Sequence, residues 1–233
     1  MIPDAFRSSR PAARVRAMLL AEVLAFVAVM VGVIWLHPGK GRPLQWFNIV
    51  LWSLAAILPV GANLLHGDRL RDSGLRVDNL GPSAREACLA TGVLAAAVAA
   101  GALAGRGWHV EPWPDVAARA GEVLAVAFIQ QYLLQAFMLR RLLQAGLGRA
   151  WAVAVASGLF AAIHAPNVVL MALTAAAAVV WCCLFLRQAN LFVLAPSHGL
   201  LSLWVYYAWP KTWHLRLVVG PRALEHLSRY WGW

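Results

Sequence analysis

An all-α, polytopic membrane helix bundle with about seven transmembrane helices is the fold class this sequence predicts. Three observations predict it. Of 233 residues, 61% are hydrophobic and 13% charged, where a soluble domain carries about a quarter charged residues. The apolar residues lie in blocks of the ~20 residues that a bilayer crossing requires. The basic residues fall mainly between those blocks, as orientation in a membrane demands.

Seven spans are expected in order. The first, residues 17–36, follows a polar, basic N-terminus. It is too long for a signal-peptide core and lacks a small-residue cleavage site, so it is expected to be a retained helix. The second, residues 46–65, contains Pro59, which membrane helices tolerate. A polar segment with Asp68, Arg69, Arg71, Asp72 and Arg76 separates it from the third, residues 85–104. The fourth covers 116–139. The fifth, 150–164, is short and stops at Pro166; the sixth covers 168–186 and the seventh 191–208. The tail from Trp209 onward is too polar to span. Its Trp209, Trp213, Trp231 and Trp233 beside Arg216 and Arg229 suit the membrane surface. Residues 1–73 are expected to form N-terminal membrane helices with a cytoplasmic loop, 74–208 a helical core, and 209–233 an interfacial or soluble tail.

Net charge is +10. With the N-terminus inside, the inner segments carry Arg7, Arg10, Arg14, Arg16, Arg69, Arg71, Arg76, Arg85, Arg140, Arg141, Arg149 and Arg187. The outer loops carry Lys40, Arg42, Arg106 and Arg119. That bias points to a cytoplasmic N-terminus and to the lipid bilayer, with no nucleic acid, as the charge partner. The tail's Lys211, Arg216, Arg222 and Arg229 are discordant with it. Eighteen arginines against two lysines suggest a GC-rich bacterial genome, hence an inner or plasma membrane. Cys88, Cys182 and Cys183 have no metal-site spacing and read as small hydrophobes.

Inside the apolar runs stand three polar pairs at i, i+4: Gln131/Gln135, Phe160/His164 and His198/Ser202. That step puts both members of a pair on one helix face. Intramembrane imidazoles and amides are costly to bury and mark a candidate site. The bland alternative is a buried polar pair that glues helices. Two histidines offer a divalent metal too few ligands for an ordinary zinc site, so a metal on His164 and His198 is an open possibility only.

The order and context of these pairs resemble the CPBP family, the CAAX-protease and bacteriocin-processing (Abi) intramembrane endopeptidases. The relevant stretches are Gln130-Gln131-Tyr-Leu-Leu-Gln135, Phe160-Ala-Ala-Ile-His164-Ala-Pro-Asn167 and His198-Gly-Leu-Leu-Ser202. A linker-like Gly74-Leu-Arg-x-Asp-Asn79 precedes them, and the resemblance covers residues 74–207. The family pattern is Glu-Glu-x-x-x-Arg, Phe-x-x-x-His and His-x-x-x-Asn, or a similar small polar residue in place of the Asn. The resemblance implies His164 and His198 as catalytic residues and a site lined by Gln130, Gln131, Gln135, Phe160, Asn167 and Ser202. The first motif departs from the pattern: both glutamates and the arginine are glutamines. A glutamine can orient a water but cannot deprotonate it. Glu122, two turns before Gln130 and ~12 Å along the axis, is a poor replacement. Glu22 is expected to snorkel or to pair with Arg14 or Arg16 near the inner surface.

Three readings follow. The chain is an intramembrane peptidase-like protein acting on membrane-associated peptides or proteins, with activity retained, weakened or lost. Or it is a non-catalytic protein that binds a peptide or protein partner at the former active site. Or it is an unrelated membrane protein, such as a small transporter.

Overall fold

The computed structural model describes residues 11–36, 45–105, 107–109 and 111–232. Arg7, Arg10, Lys40, Arg42, Arg106 and Trp233 of the charge and tryptophan patterns above lie outside the described residues. Seven apolar helices appear where the sequence predicts spans. They are α1 (Ala13–Trp35), α2 (Gln45–Leu65), α3 (Leu80–Gly105), α4 (Trp113–Gln144), α5 (Arg149–Ala162), α6 (Val168–Arg187) and α7 (Leu191–Ala208). Two short helices follow in the tail, α8 (Lys211–His214) and α9 (Pro221–Trp231). Five of the seven, α1, α3, α4, α6 and α7, are long and apolar enough to cross a membrane; α5 and the apolar part of α2, Ile49–Leu65, are shorter.

The helix starts follow from local chemistry. Asn167 caps α6, its Oδ1 accepting from the Leu170 amide at 3.1 Å. Asn190 caps α7 in the same way through the Val193 amide at 3.2 Å. Pro114 sits in the first turn of α4 with Asp115 beside it, favourable against the helix dipole. α5 is only 14 residues long, about 21 Å at 1.5 Å per residue. It stops well short of a ~30 Å hydrocarbon core. Of the residues after it, His164 and Asn167 are buried within the protein.

α4 runs along α7, which also packs on α3; α5 pairs with α6, and α1 with α2. Between Tyr132 and Leu139, α4 widens into a π-helix, a feature that recurs at functional positions. Leu134 through Leu139 are all fully buried. Six consecutive buried positions leave no lipid-facing side, so this segment is the hub of the bundle. Phe26 of α1 meets Phe137 edge-on at 5.4 Å between centroids.

Two expectations are corrected at the end of this hub. Arg140 and Arg141, placed by hydropathy in a loop, continue α4 and are buried, Arg141 completely. Glu22 does not pair with Arg14 or Arg16. Its carboxylate takes Arg141 Nε at 3.0 Å and His66 Nε2 at 2.7 Å. Asp68 binds Arg141 Nη1 at 2.9 Å and also Arg140. Asn63 completes the cluster: its Oδ1 accepts from Arg141 at 2.8 Å, while its amide donates to the Ala136 carbonyl at 3.1 Å. The two guanidinium groups are buried because acids from α1 and from the turn after α2 neutralise them. That solvation lets the helix run on past its apolar stretch.

Candidate active site

The three motif pairs converge. Gln131, the last residue of α4 before the π segment, is fully buried and faces α7, where its Nε2 lies 3.2 Å from His198 Nδ1. As placed, the amide donates to Nδ1, which leaves the His198 proton on Nε2; the amide turned over would accept instead. Phe160 of α5 lies between the imidazoles, its ring 4.9 Å from His164 and 6.3 Å from His198. His164 Nδ1 lies 2.7 Å from the Phe160 carbonyl oxygen. A carbonyl only accepts, so Nδ1 carries the proton and Nε2 the lone pair. The pair thus presents one acceptor nitrogen and one donor nitrogen.

The remaining motif residues divide. Gln135 is fully buried in the π segment, and neither its Oε1 nor its Nε2 has a hydrogen-bond partner among the described residues. Ser157 Oγ of α5 is likewise unpartnered. Gln130 is half-buried. Ser202 lines, with His198, Thr174 and Trp181, an apolar cavity of about 330 Å³ between α3, α6 and α7, whose lining also includes Trp209 and Leu217 of the tail. Asn167 is committed elsewhere. Besides capping α6 it donates to the His214 and Val218 carbonyls at 2.9 and 3.1 Å, so it holds the tail.

Sequence reasoning missed Trp181, which lies over His198 with 4.3 Å between ring centroids. Its indole donates to Ser197 Oγ at 3.2 Å, and Ser197 is 2.6 Å from Thr91 of α3. The available signal was position: Trp181 stands inside α6, away from the ends where interfacial tryptophans gather. The linker Gly74–Asn79 works on α7. Gly74, at φ +80°, offers its carbonyl to the Leu191 amide at 2.8 Å, and a Cβ there would lie 2.7 Å from Phe185.

Neither histidine has a carboxylate within ion-pair distance among the described residues. Glu122 lines a separate, polar recess with Glu111, Asp115 and Arg119 near the start of α4. Glu22 is held in the Arg141 cluster. No group of three His, Cys, Asp or Glu side chains is placed to hold a metal among the described residues. A catalytic zinc takes three protein ligands; here two imidazoles stand among amides and hydroxyls, with both Nδ1 atoms engaged. The donor set does not fit a divalent metal.

Comparison with known families decides what the convergence resembles. Residues 112–204 match the family model of Rce1-like type II CAAX prenyl endopeptidases. The Rce1-like segment opens at the start of α4, closes within α7 and contains every motif residue named above. It is narrower than the resemblance over 74–207, leaving α3 and the Gly74 linker outside. The chain is a multi-pass membrane protein whose residues 112–204 are CAAX-protease-like. No curated protein and no solved structure matches it.

Proposed function

We propose that this protein binds membrane-associated peptides at a CAAX-protease-type site and cleaves them slowly or not at all. The observation that carries the reading is the Gln131–His198 contact. Where the Rce1-like pattern has a carboxylate, an amide donates to the imidazole. In such a protease a glutamate and a histidine activate the water that attacks the scissile carbonyl. Glutamine has no proton equilibrium near neutrality, so that step lacks its base. The third change is coherent with the first two. An arginine at position 135 would be a buried cation without a counter-charge, costing about 3–5 kcal/mol, and Gln135 removes it.

What survives is recognition. The His164 Nε2 lone pair and the His198 Nε2 proton form an acceptor and a donor, the complement of a peptide group's N–H and C=O. The apolar cavity beside His198 and Ser202 suits a hydrophobic side chain or a lipid group on the peptide. A second reading, a protease that uses histidine alone, rests on the His164 lone pair, since imidazole is a competent base near neutrality.

Binding is tested with a fluorescent prenylated CAAX peptide and the purified full chain in nanodiscs. Saturable binding that weakens about tenfold in His198→Ala, a loss of one charge-free hydrogen bond, with the peptide intact afterwards, is expected. Absence of saturable binding in the wild type contradicts the proposal. Peptide cleavage abolished by His164→Ala moves the protein to the second reading.

A further inference from the structure

The tail is built onto the bundle at one level. Gly220, at φ +62°, donates its amide to the Ala165 carbonyl at 2.9 Å, and a Cβ there would lie 2.6 Å from Ile34 near the end of α1. Trp209 donates its indole proton to Val98 of α3 at 2.7 Å. The start of α9 therefore lies against the end of α1, 12 residues or about 18 Å along that helix from Glu22 of the Arg140–Arg141 cluster.

α9 is amphipathic. Arg222, Glu225, His226 and Arg229 recur at i, i+3, i+4 and i+7, one helix face. On the other side Ala223 is fully buried against the protein, while Leu224 stays 47% exposed. Arg216, Arg222 and Arg229 have no carboxylate within ion-pair distance among the described residues; Lys211 alone of the tail's four cations reaches one, Glu111, at 3.9 Å. Four cations against a single acid, Glu225, also run against the charge rule for this face. An exposed leucine beside uncompensated guanidinium groups, next to the end of an apolar helix, matches the boundary of an anionic leaflet: acyl chains below and phosphates at the arginines.

We propose that the tail, through Arg216, Arg222 and Arg229, docks on the headgroups of anionic phospholipids. The docked tail also lines the His198 cavity, through Trp209 and Leu217. The proposal stands apart from the peptide-binding reading, since it needs neither histidine.

Hydrogen exchange of residues 221–231 is the test, on the full chain in phosphatidylcholine nanodiscs and in nanodiscs enriched in phosphatidylglycerol. Each arginine near such a surface contributes a measurable electrostatic share, so exchange slows about ten- to hundredfold in the anionic lipid. High salt removes the difference. The variant R216Q/R222Q/R229Q loses it, and Glu225→Lys, which adds a cation without removing any contact, enlarges it. Equal exchange in the two lipids for wild type and Glu225→Lys overturns the proposal: equally slow means the helix docks on protein alone, and equally fast leaves the face to a partner other than lipid.

Discussion

Gln135 is a full amide in the hub of a membrane bundle with neither polar atom paired among the described residues. An unmet buried polar group costs about 1–3 kcal/mol, and an apolar replacement of similar shape removes that cost. Gln135→Met is therefore expected to raise the melting temperature in detergent or leave it unchanged; a fall of several degrees would mean the amide has a role the geometry lacks. Gln135→Arg alone is expected to destabilise by about 3–5 kcal/mol. The same change with Gln130→Glu and Gln131→Glu is expected to cost less, because neighbouring charges couple. Thermal unfolding of the single and triple variants checks the difference. The motif residues themselves were legible in the sequence, because polar side chains at helical spacing in apolar runs have few other reasons to be there. Their division of labour was not. Asn167 belongs to the motif by position, yet its amide spans 47 and 51 residues to the tail carbonyls. Trp181 needed the fold to bring α6 beside α7.

At the scale of elements, seven helices stand where apolar blocks predicted them, and His164, just past the end of the short α5, is buried. The end of α4 was not legible. Hydropathy stops the helix at Leu139, but the buried Arg140 and Arg141 extend it, held by Glu22 and Asp68 from far upstream. No local window holds that information. The cluster ties α1 and α2, both outside the Rce1-like match, to the π segment through Asn63. Arg141→Ala leaves the buried Asp68 carboxylate and the partly exposed Glu22 undercompensated and is expected to cost about 3–5 kcal/mol. Arg141→Met with Asp68→Asn is expected to cost clearly less than the two single changes summed; strict additivity would show that the pair does not interact.

The tail adds a pH dependence. Burial lowers the His214 imidazole from 6.5 to about 4, against the opposing pull of its bond to the Trp209 carbonyl. The docked tail therefore holds this histidine neutral, while a released tail titrates near 6.5. Between those values the released form binds more protons, so docking is at full strength above pH 6.5 and weakens as pH falls toward 4. The melting-temperature difference between wild type and His214→Gln should shrink across that window. A difference that stays flat from pH 7 to about 4 contradicts the assignment.

For the molecule as a whole, the features form one design. A CAAX-protease-like core places two imidazoles around Phe160, a charge network braces the hub, and a basic tail lines the cavity. In the proposed function, a CAAX-protease-type arrangement carries glutamines where the family pattern has carboxylates. The most direct test of that account is the cleavage rate of a prenylated CAAX peptide by purified wild type and by Q130E/Q131E/Q135R, each reconstituted in the same lipid. Loss of a general base costs about 10²–10⁴-fold, so the account predicts a wild-type rate at or near background and a gain of that order in the restored variant, abolished by adding His164→Ala. Wild-type cleavage as fast as that of the restored variant, and lost on His164→Ala alone, would contradict it.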